Sequence, residues 1–498
     1  MKKNYAYLVS LLVASIFLLG FPLKAQSNDA NTRGSEGICA AELPAKIDEI
    51  VNRREFERSR WGIKIATLSP NQPGETLYAL EANKYFIPAS TAKLLTTAAA
   101  LEALDPNFRI RTSVYGTQNG NVASVRLVGR GDPSIAQPQL AALAKQLRDR
   151  GITQIDQLIA EDAYFQGAPI NSNWEWEDVQ AGYGTSVNSL IFNQNAIDLL
   201  LSPQKVGEPL QVTLLDSQER NKWQLENNSV TVDIGEAEFV EVGRDLRQTV
   251  IRVSGQLRVG SAPEPVYAAV VDPGDHFLAK FREALIAAGI SVNKTQLSTQ
   301  SLANSSHNLS TELAAIESPP LSELVKEVNQ TSNNLYAEAI LRHLGVSIPP
   351  NNRQKTDSSA DAGLAVVTAT LAQSGVNPDS YRLADGSGLS RHNLISPEAL
   401  IQTLRVMAVS PRANLYRDSL PVRRLSSDVA SATLREQIMV QAKSGGMSGI
   451  SSLAGYITLP DYDPLVFAII LNNSDNSRTV VRQAINQIID LLAMLRRC

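Results

Sequence analysis

The sequence predicts an α/β protein of the α+β kind: one helix-and-sheet domain built from both ends of the chain and interrupted by a β-rich insertion. Three observations carry this. The chain opens with an amphipathic helix and a strand pair, and it closes with strands and an amphipathic helix. Between them lies a long stretch of apolar/polar alternation with a period of two. Its 498 residues exceed one ordinary domain. A composition that is 43% hydrophobic and 19% charged supplies a core. The formal net charge of -4 gives no electrostatic case for nucleic acid as a partner.

Lys2-Lys3 is a basic head, Tyr5 to Phe21 is an apolar run, and Leu23-Lys24-Ala25 is a passable cleavage site. Residues 1–25 therefore read as an export signal, which places the mature protein outside the cytoplasm. Left uncleaved, the same run would hold the protein peripherally at the membrane, and no other run is long and apolar enough to span one. The two cysteines, Cys39 and Cys498, lie near opposite ends of the mature chain. An oxidising compartment permits a disulfide between them that would tie the first helix to the last, and two free thiols are the alternative.

Leu43, Ile47, Ile50 and Val51 share one face of a helix over 41–58. Trp61 to Leu68 and Thr76 to Leu80 read as paired strands around an Asn71-Gln72-Pro73-Gly74 turn. The apolar run through Leu101 is a helix stopped by Asp105-Pro106. Strands follow from Arg109 to Val128 around Asn119-Gly120, then a helix at Leu140 to Leu147 and a strand at Ile155 to Ala160. Asn173 to Asp178 is a polar, aromatic loop. Alternation dominates from Leu210 to Val271, with turns at Glu226-Asn227-Asn228 and Pro263. A helix from His276 to Ala288 precedes a Ser/Asn-rich linker at Thr299 to Ser310. Helical spacing returns at Leu321, and strands at Ser452 to Thr458 and Leu465 to Leu471 lead to a helix from Val480 to Arg497. The domain reading is 26–112 with 305–498, interrupted by 113–304.

The chemistry begins at Ser90 and Lys93, three residues apart at the head of a helix, where their side chains share a face. A serine hydroxyl needs a neighbouring base, and a lysine of lowered pKa can be one. Ser332-Asn333-Asn334 adds a hydroxyl and an amide two residues apart, and Lys443-Ser444-Gly445-Gly446 adds a cation, a hydroxyl and a flexible backbone. The order S-x-x-K, S-x-N, K-[ST]-G is the signature of serine penicillin-recognising enzymes.

With these motifs the sequence resembles the low-molecular-mass class C penicillin-binding proteins, the D-alanyl-D-alanine carboxypeptidase/endopeptidase family of peptidase clan SE. Leu127 to Pro133 looks like that family's insert motif and Asp385 to Arg391 like its D-G-S-G-L-S segment. Ser90 and Ser332 lie 242 positions apart, as expected for a catalytic domain carrying inserted domains. Ser444 stands where threonine is usual and Asn333 where aspartate is usual. The resemblance implies a serine β-lactamase/transpeptidase-like domain with a five-stranded-type antiparallel sheet flanked by helices. It also implies trimming of peptidoglycan stem peptides through an acyl-enzyme on Ser90, inhibited by β-lactam antibiotics.

In that scheme Lys93 takes the Ser90 proton and Lys443 helps keep Lys93 basic. Ser332, also against the Ser90 oxygen, relays the proton to the leaving amine. Asn334 holds the substrate amide, and Lys443 and Ser444 bind the terminal carboxylate. The backbone N–H groups of Ser90 and Gly446 form the oxyanion site. By the same resemblance Asp178 and Tyr183, five residues apart, contact the distal amine of the substrate side chain, and Arg391 and Met447 occupy matching places. Ordinary loop packing is the competing reading for these four.

Other chemistries fit less well. His276, His307, His343 and His392 lack a nucleophile or metal context, and no H-E-x-x-H motif or Cys cluster implies a metal or other cofactor. Glu175, Glu177 and Asp178 evoke a glycosidase but read more simply as solvated loop acids. Two rivals share the fold: a β-lactamase, and a non-catalytic peptidoglycan-binding relative. The sequence leaves open the balance of carboxypeptidase and endopeptidase action and the oligomeric state.

Overall fold

The computed structural model describes residues 37–68, 74–302, 311–347, 358–425 and 436–498. The expected signal segment, residues 71–73 of the expected turn and residues 303–310 of the expected linker lie outside the described residues. Among the described residues no helix is long and apolar enough to cross a membrane.

Both ends of the chain meet in one antiparallel sheet. Its order is Val422–Arg423, Met439–Met447, Ile450–Thr458, Leu465–Asn472, Arg60–Thr67, Thr76–Leu80. The family resemblance implied five strands, and the sixth is the two-residue edge pair Val422–Arg423. Every residue of Leu465–Asn472 is buried, so this strand is covered on both faces. Leu465, Phe467, Ile469 and Leu471 join Ile47, Ile485 and Ile488 of the helices Leu43–Val51 and Arg478–Ala493. Val466, Ala468 and Ile470 face the opposite way, onto Leu94, Leu95 and Ala98 of Lys93–Ala103. Lys93–Ala103 is buried around nearly its whole circumference, as a helix sandwiched between a sheet and further helices must be.

A second, five-stranded sheet runs Ser291–Ser298, Gln154–Glu161, Val122–Val128, Arg111–Asn119, Thr311–Glu317. Gly120, at a φ of 60°, makes the tight Asn119-Gly120 turn. Thr311–Glu317 lies past position 304 yet pairs with Arg111–Asn119. Two three-stranded sheets from 196–269 form a third unit with its own core around Leu199, Leu201, Ile251 and Val253. One insertion is thus nested in another.

Three local expectations change. Glu226-Asn227-Asn228 is not a turn but lies inside the strand Gln224–Val232, parallel to Val250–Arg258. The Asn227 side chain donates to Leu210 O at 2.8 Å, beside a strand of the other three-stranded sheet, and accepts from Ser229 N on its own strand, so its polarity is satisfied without a turn. The opening helix is only Leu43–Val51, with Pro44 in its first turn. The closing helix ends at Ala493, and Leu495–Arg496 pairs in parallel with Ile38–Cys39. Beside that pair Cys39 and Cys498 are disulfide-bonded, with Cα atoms 5.7 Å apart.

Candidate active site

Ser90 sits in a 3-10 turn, Ala89–Ala92, that runs into Lys93–Ala103. The turn is latched from several sides. Asn472, closing the central strand, bonds both Ile87 N (2.8 Å) and Ile87 O (3.0 Å). Ser452 donates to Pro88 O at 2.6 Å, and Thr91 donates to the same oxygen at 2.8 Å. Ala89 is held at a φ of 49°, a left-handed conformation costly for a residue with a Cβ. Gly445 passes so close that a Cβ there would lie 2.7 Å from Ser90 N and 2.9 Å from Pro88 O.

Lys93 is 0% exposed. Its Nζ lies 3.0 Å from Ser90 Oγ, 2.6 Å from Asn334 Oδ1 and 2.5 Å from Ser387 O. Burial holds its pKa well below the usual lysine range, repulsion from Lys443 adds to this, and Asp385 and Glu338 oppose it. Asn334 begins the helix Asn334–Ser347, just after Ser332, whose φ of 63° is also left-handed. Lys443 Nζ donates to Ser332 Oγ at 2.8 Å, and burial lowers the Lys443 pKa to about 8. The expected contact of Ser332 with Ser90 gives way to this bond: among the described residues, the hydrogen bond at Ser332 Oγ comes from Lys443.

The Asp385–Arg391 loop forms the floor. Asp385, fully buried, accepts from Gly388 N, Ser390 N, Asn393 Nδ2 and Trp174 Nε1. Glu338 accepts from both Gly386 N and Ser387 N at 2.8 Å, and burial, then Asp385, raises its pKa to about 7. The loop thereby aims the Ser387 carbonyl at Lys93. Glu338 escaped the sequence reading, although it lies four residues after Asn334 on the same helix face.

The insertion reaches into the same cleft. Asn171 donates to Ala384 O, Trp174 to Asp385, and Ser390 to Asn173 O. Asn334 Nδ2 donates to Tyr183 O at 2.8 Å. Tyr183 is 54% exposed and lies beside Asp178, whose carboxyl burial pushes up. Arg391 pairs with Glu175 at 3.0 Å and donates to Ser448 O, in the turn that follows Met447. A cavity of about 570 Å³ opens between Ser332, Asn333 and Asn334 on one side and Tyr183, Gln194 and Tyr267 on the other. Of the four side-chain-recognition candidates Tyr183 lines this cavity, Asp178 lies beside Tyr183, and Arg391 reaches the turn after Met447.

A buried lysine against a serine, with a second hydroxyl–lysine pair beside it, suits acyl transfer. The family model described as D-Ala-D-Ala carboxypeptidase 3 (S13) matches residues 43–495. The chain belongs to that family. It is a serine-type carboxypeptidase by membership of it. A D-alanyl-D-alanine carboxypeptidase of Actinomadura sp. (strain R39) is 30% identical over 458 residues, covering 88% of this chain and 82% of the relative. Penicillin-sensitive carboxypeptidase A of Dictyostelium discoideum is 26% identical over 539 residues, covering 98% of each. The solved structure of penicillin binding protein 4 from Haemophilus influenzae shares the fold, with a TM-score of 0.73 at 22% identity, over 90% of this chain and 99% of that one. The helix-flanked sheet is therefore that of the S13 family and its penicillin-binding relatives.

Proposed function

We propose that Ser90 is the acylated nucleophile in the removal of the terminal D-Ala from peptidoglycan stem peptides. The geometry around Lys93 Nζ carries this. Asn334 Oδ1 and Ser387 O can only accept, so they take two N–H bonds from a neutral amine. The lone pair is left facing Ser90 Oγ, the one neighbour of the three able to give a proton. Lys93 then takes the Ser90 proton as Oγ bonds to the carbonyl carbon between the two D-Ala residues. The oxyanion sits between the N–H groups of Ser90 and Gly446. Ser332, polarised by Lys443, passes its proton to the departing amine as the C–N bond breaks and takes in return the one held by Lys93, so D-Ala leaves and Lys93 is neutral again. Water hydrolyses the ester with Lys93 again as base. Lys443 and Ser444 hold the terminal carboxylate, Asn334 the substrate amide, and Asp178, Tyr183, Arg391 and Met447 the stem-peptide side chain.

A β-lactam presents the same strained acyl group and carboxylate, so it acylates Ser90 and is a ligand of this site. Such a substrate lies outside the cytoplasm, in keeping with the export signal read in residues 1–25 and with the Cys39–Cys498 bond. A fluorescent penicillin labels the wild type covalently and leaves Ser90→Ala unlabelled. Equal labelling of both overturns the assignment, and rapid nitrocefin turnover would favour the β-lactamase alternative.

A further inference from the structure

Behind the Lys443 strand lies another cavity, of about 460 Å³. Strand alternation sets its relation to the catalytic groups. Lys443 and Gly445 turn toward Ser332 and Ser90, so Ser444 and Gly446 turn to the other face. That face opens on Arg423 of the edge strand and on Arg478 and Arg482 of the closing helix, which line this cavity together with Ser444. Arg478 and Arg482, four residues apart, share one side of their helix. Its apolar wall is Ile450, Leu453 and Ile485.

Among the described residues the charge here is unbalanced. Some arginines elsewhere find acids, as Arg391 does in Glu175, and others, such as Arg150 and Arg405, spend their donors on backbone carbonyls. Among the described residues none of the three cavity arginines has a carboxylate partner. Arg423 donates to a neutral acceptor, Asn486 Oδ1, at 3.0 Å. Burial, and then the like charge of Arg482, disfavour its charged state. Guanidinium groups that find no acid among the described residues around an open space are matched by an anion entering that space.

We propose that this cavity is the leaving-group subsite and that it selects a departing residue carrying a carboxylate on its side chain. This deepens the acyl-transfer reading and rests on it. The terminal carboxylate of the departing residue lies between Lys443 and Ser444 at the edge of their strand, which the pairing of Val422–Arg423 with Val440 and Gln441 leaves uncovered, and Ser444 opens from there into the cavity. From there a side chain extends past Gly446, where the missing Cβ leaves the passage open. Its methylene groups lie on Ile450 and Ile485, and its acid meets the arginines. A D-Ala leaving group fills none of this space. A larger acidic one, such as the free-acid end of a cross-linked stem peptide, does.

The test uses the full-length protein and acyl-D-Ala-X substrates with X as D-Ala, D-Glu or D-Lys, measuring kcat/KM at low ionic strength. The wild type cleaves the D-Glu substrate about tenfold faster than the D-Lys substrate, a difference of about 1.4 kcal/mol. In the double variant Arg478→Gln/Arg482→Gln, and separately in Arg423→Gln, the ratio falls toward unity while D-Ala release and penicillin acylation keep wild-type rates. Equal cleavage of D-Glu and D-Lys by the wild type overturns the proposal, as does a preference that survives in both variants. The penicillin and D-Ala controls separate the two readings. If both work and selectivity is missing, only the subsite fails; if neither works, the acyl-transfer reading fails with it.

Discussion

Gly445→Ala probes how the oxyanion site is built. A Cβ at 445 would lie 2.7 Å from Ser90 N and 2.9 Å from Pro88 O, both backbone atoms of the latched turn. Ordinary contact begins near 3.4 Å, so the Lys443 strand must back away by about 0.7 Å. The Ser452 Oγ, closer still to that Cβ, is displaced first, while Asn472 still holds the turn at Ile87 N and Ile87 O. A shift of that size takes a hydrogen bond of about 2.9 Å to about 3.6 Å, beyond useful range. The Ser90 and Gly446 N–H groups then no longer reach one oxyanion together. Loss of one such donor costs about 10²–10³ in rate, and the overpacking costs about 1–3 kcal/mol of stability. The assay is the second-order rate of fluorescent penicillin acylation, read beside a thermal melt. The variant should remain folded, melt a few degrees lower and acylate at least a hundredfold more slowly. Acylation at the wild-type rate by a folded Gly445→Ala protein would falsify the placement of this strand at the oxyanion site.

Two further outcomes follow from buried groups and from the joined ends. Glu338 has a folded pKa of about 7, above its unfolded value, so its contribution to stability is full below about pH 4.5 and is lost as pH rises to 7. Glu338→Gln can still accept the Gly386 and Ser387 N–H bonds without ionising. The wild-type-minus-variant stability difference should therefore shrink between pH 4.5 and 7 by an amount on the order of 3 kcal/mol; parallel melting-temperature curves over that range would refute this. Replacing Cys39 and Cys498 by serine should lower stability by about 2–5 kcal/mol while penicillin acylation persists, since the bond lies at the chain ends and the cleft does not use it. Identical melts with and without the bond would contradict that role.

Much of this site was legible in the sequence because its parts are local motifs. The i, i+3 spacing places Lys93 under Ser90 on any helix, and the order of the three motifs brings in Ser332, Asn334 and Lys443. The unbroken apolar run from Leu465 to Leu471 likewise announced a strand. What escaped depends on backbone and tertiary partners. Ser387 serves Lys93 through a carbonyl, which every residue has, so no side-chain pattern marks it. Glu338 reads as one more helical acid until the loop it holds is in place. Asn227 carries a turn-former's side chain, and only a neighbouring strand shows that its bonds go sideways. The strand past position 304 was hidden because its partner lies some two hundred residues earlier.

The antiparallel pairing of Arg60–Thr67 with Leu465–Asn472 also governs timing. A chain delivered amino end first exposes its serine long before the strand that locks the nucleophile turn has been made. Loop closure over so great a separation is slow and comes late in folding. Until then Lys93 has no dry pocket in which to lose its proton, and the nascent polypeptide stays chemically silent. Reactivity is thus withheld, by topology alone, until the Leu465–Asn472 strand has been made.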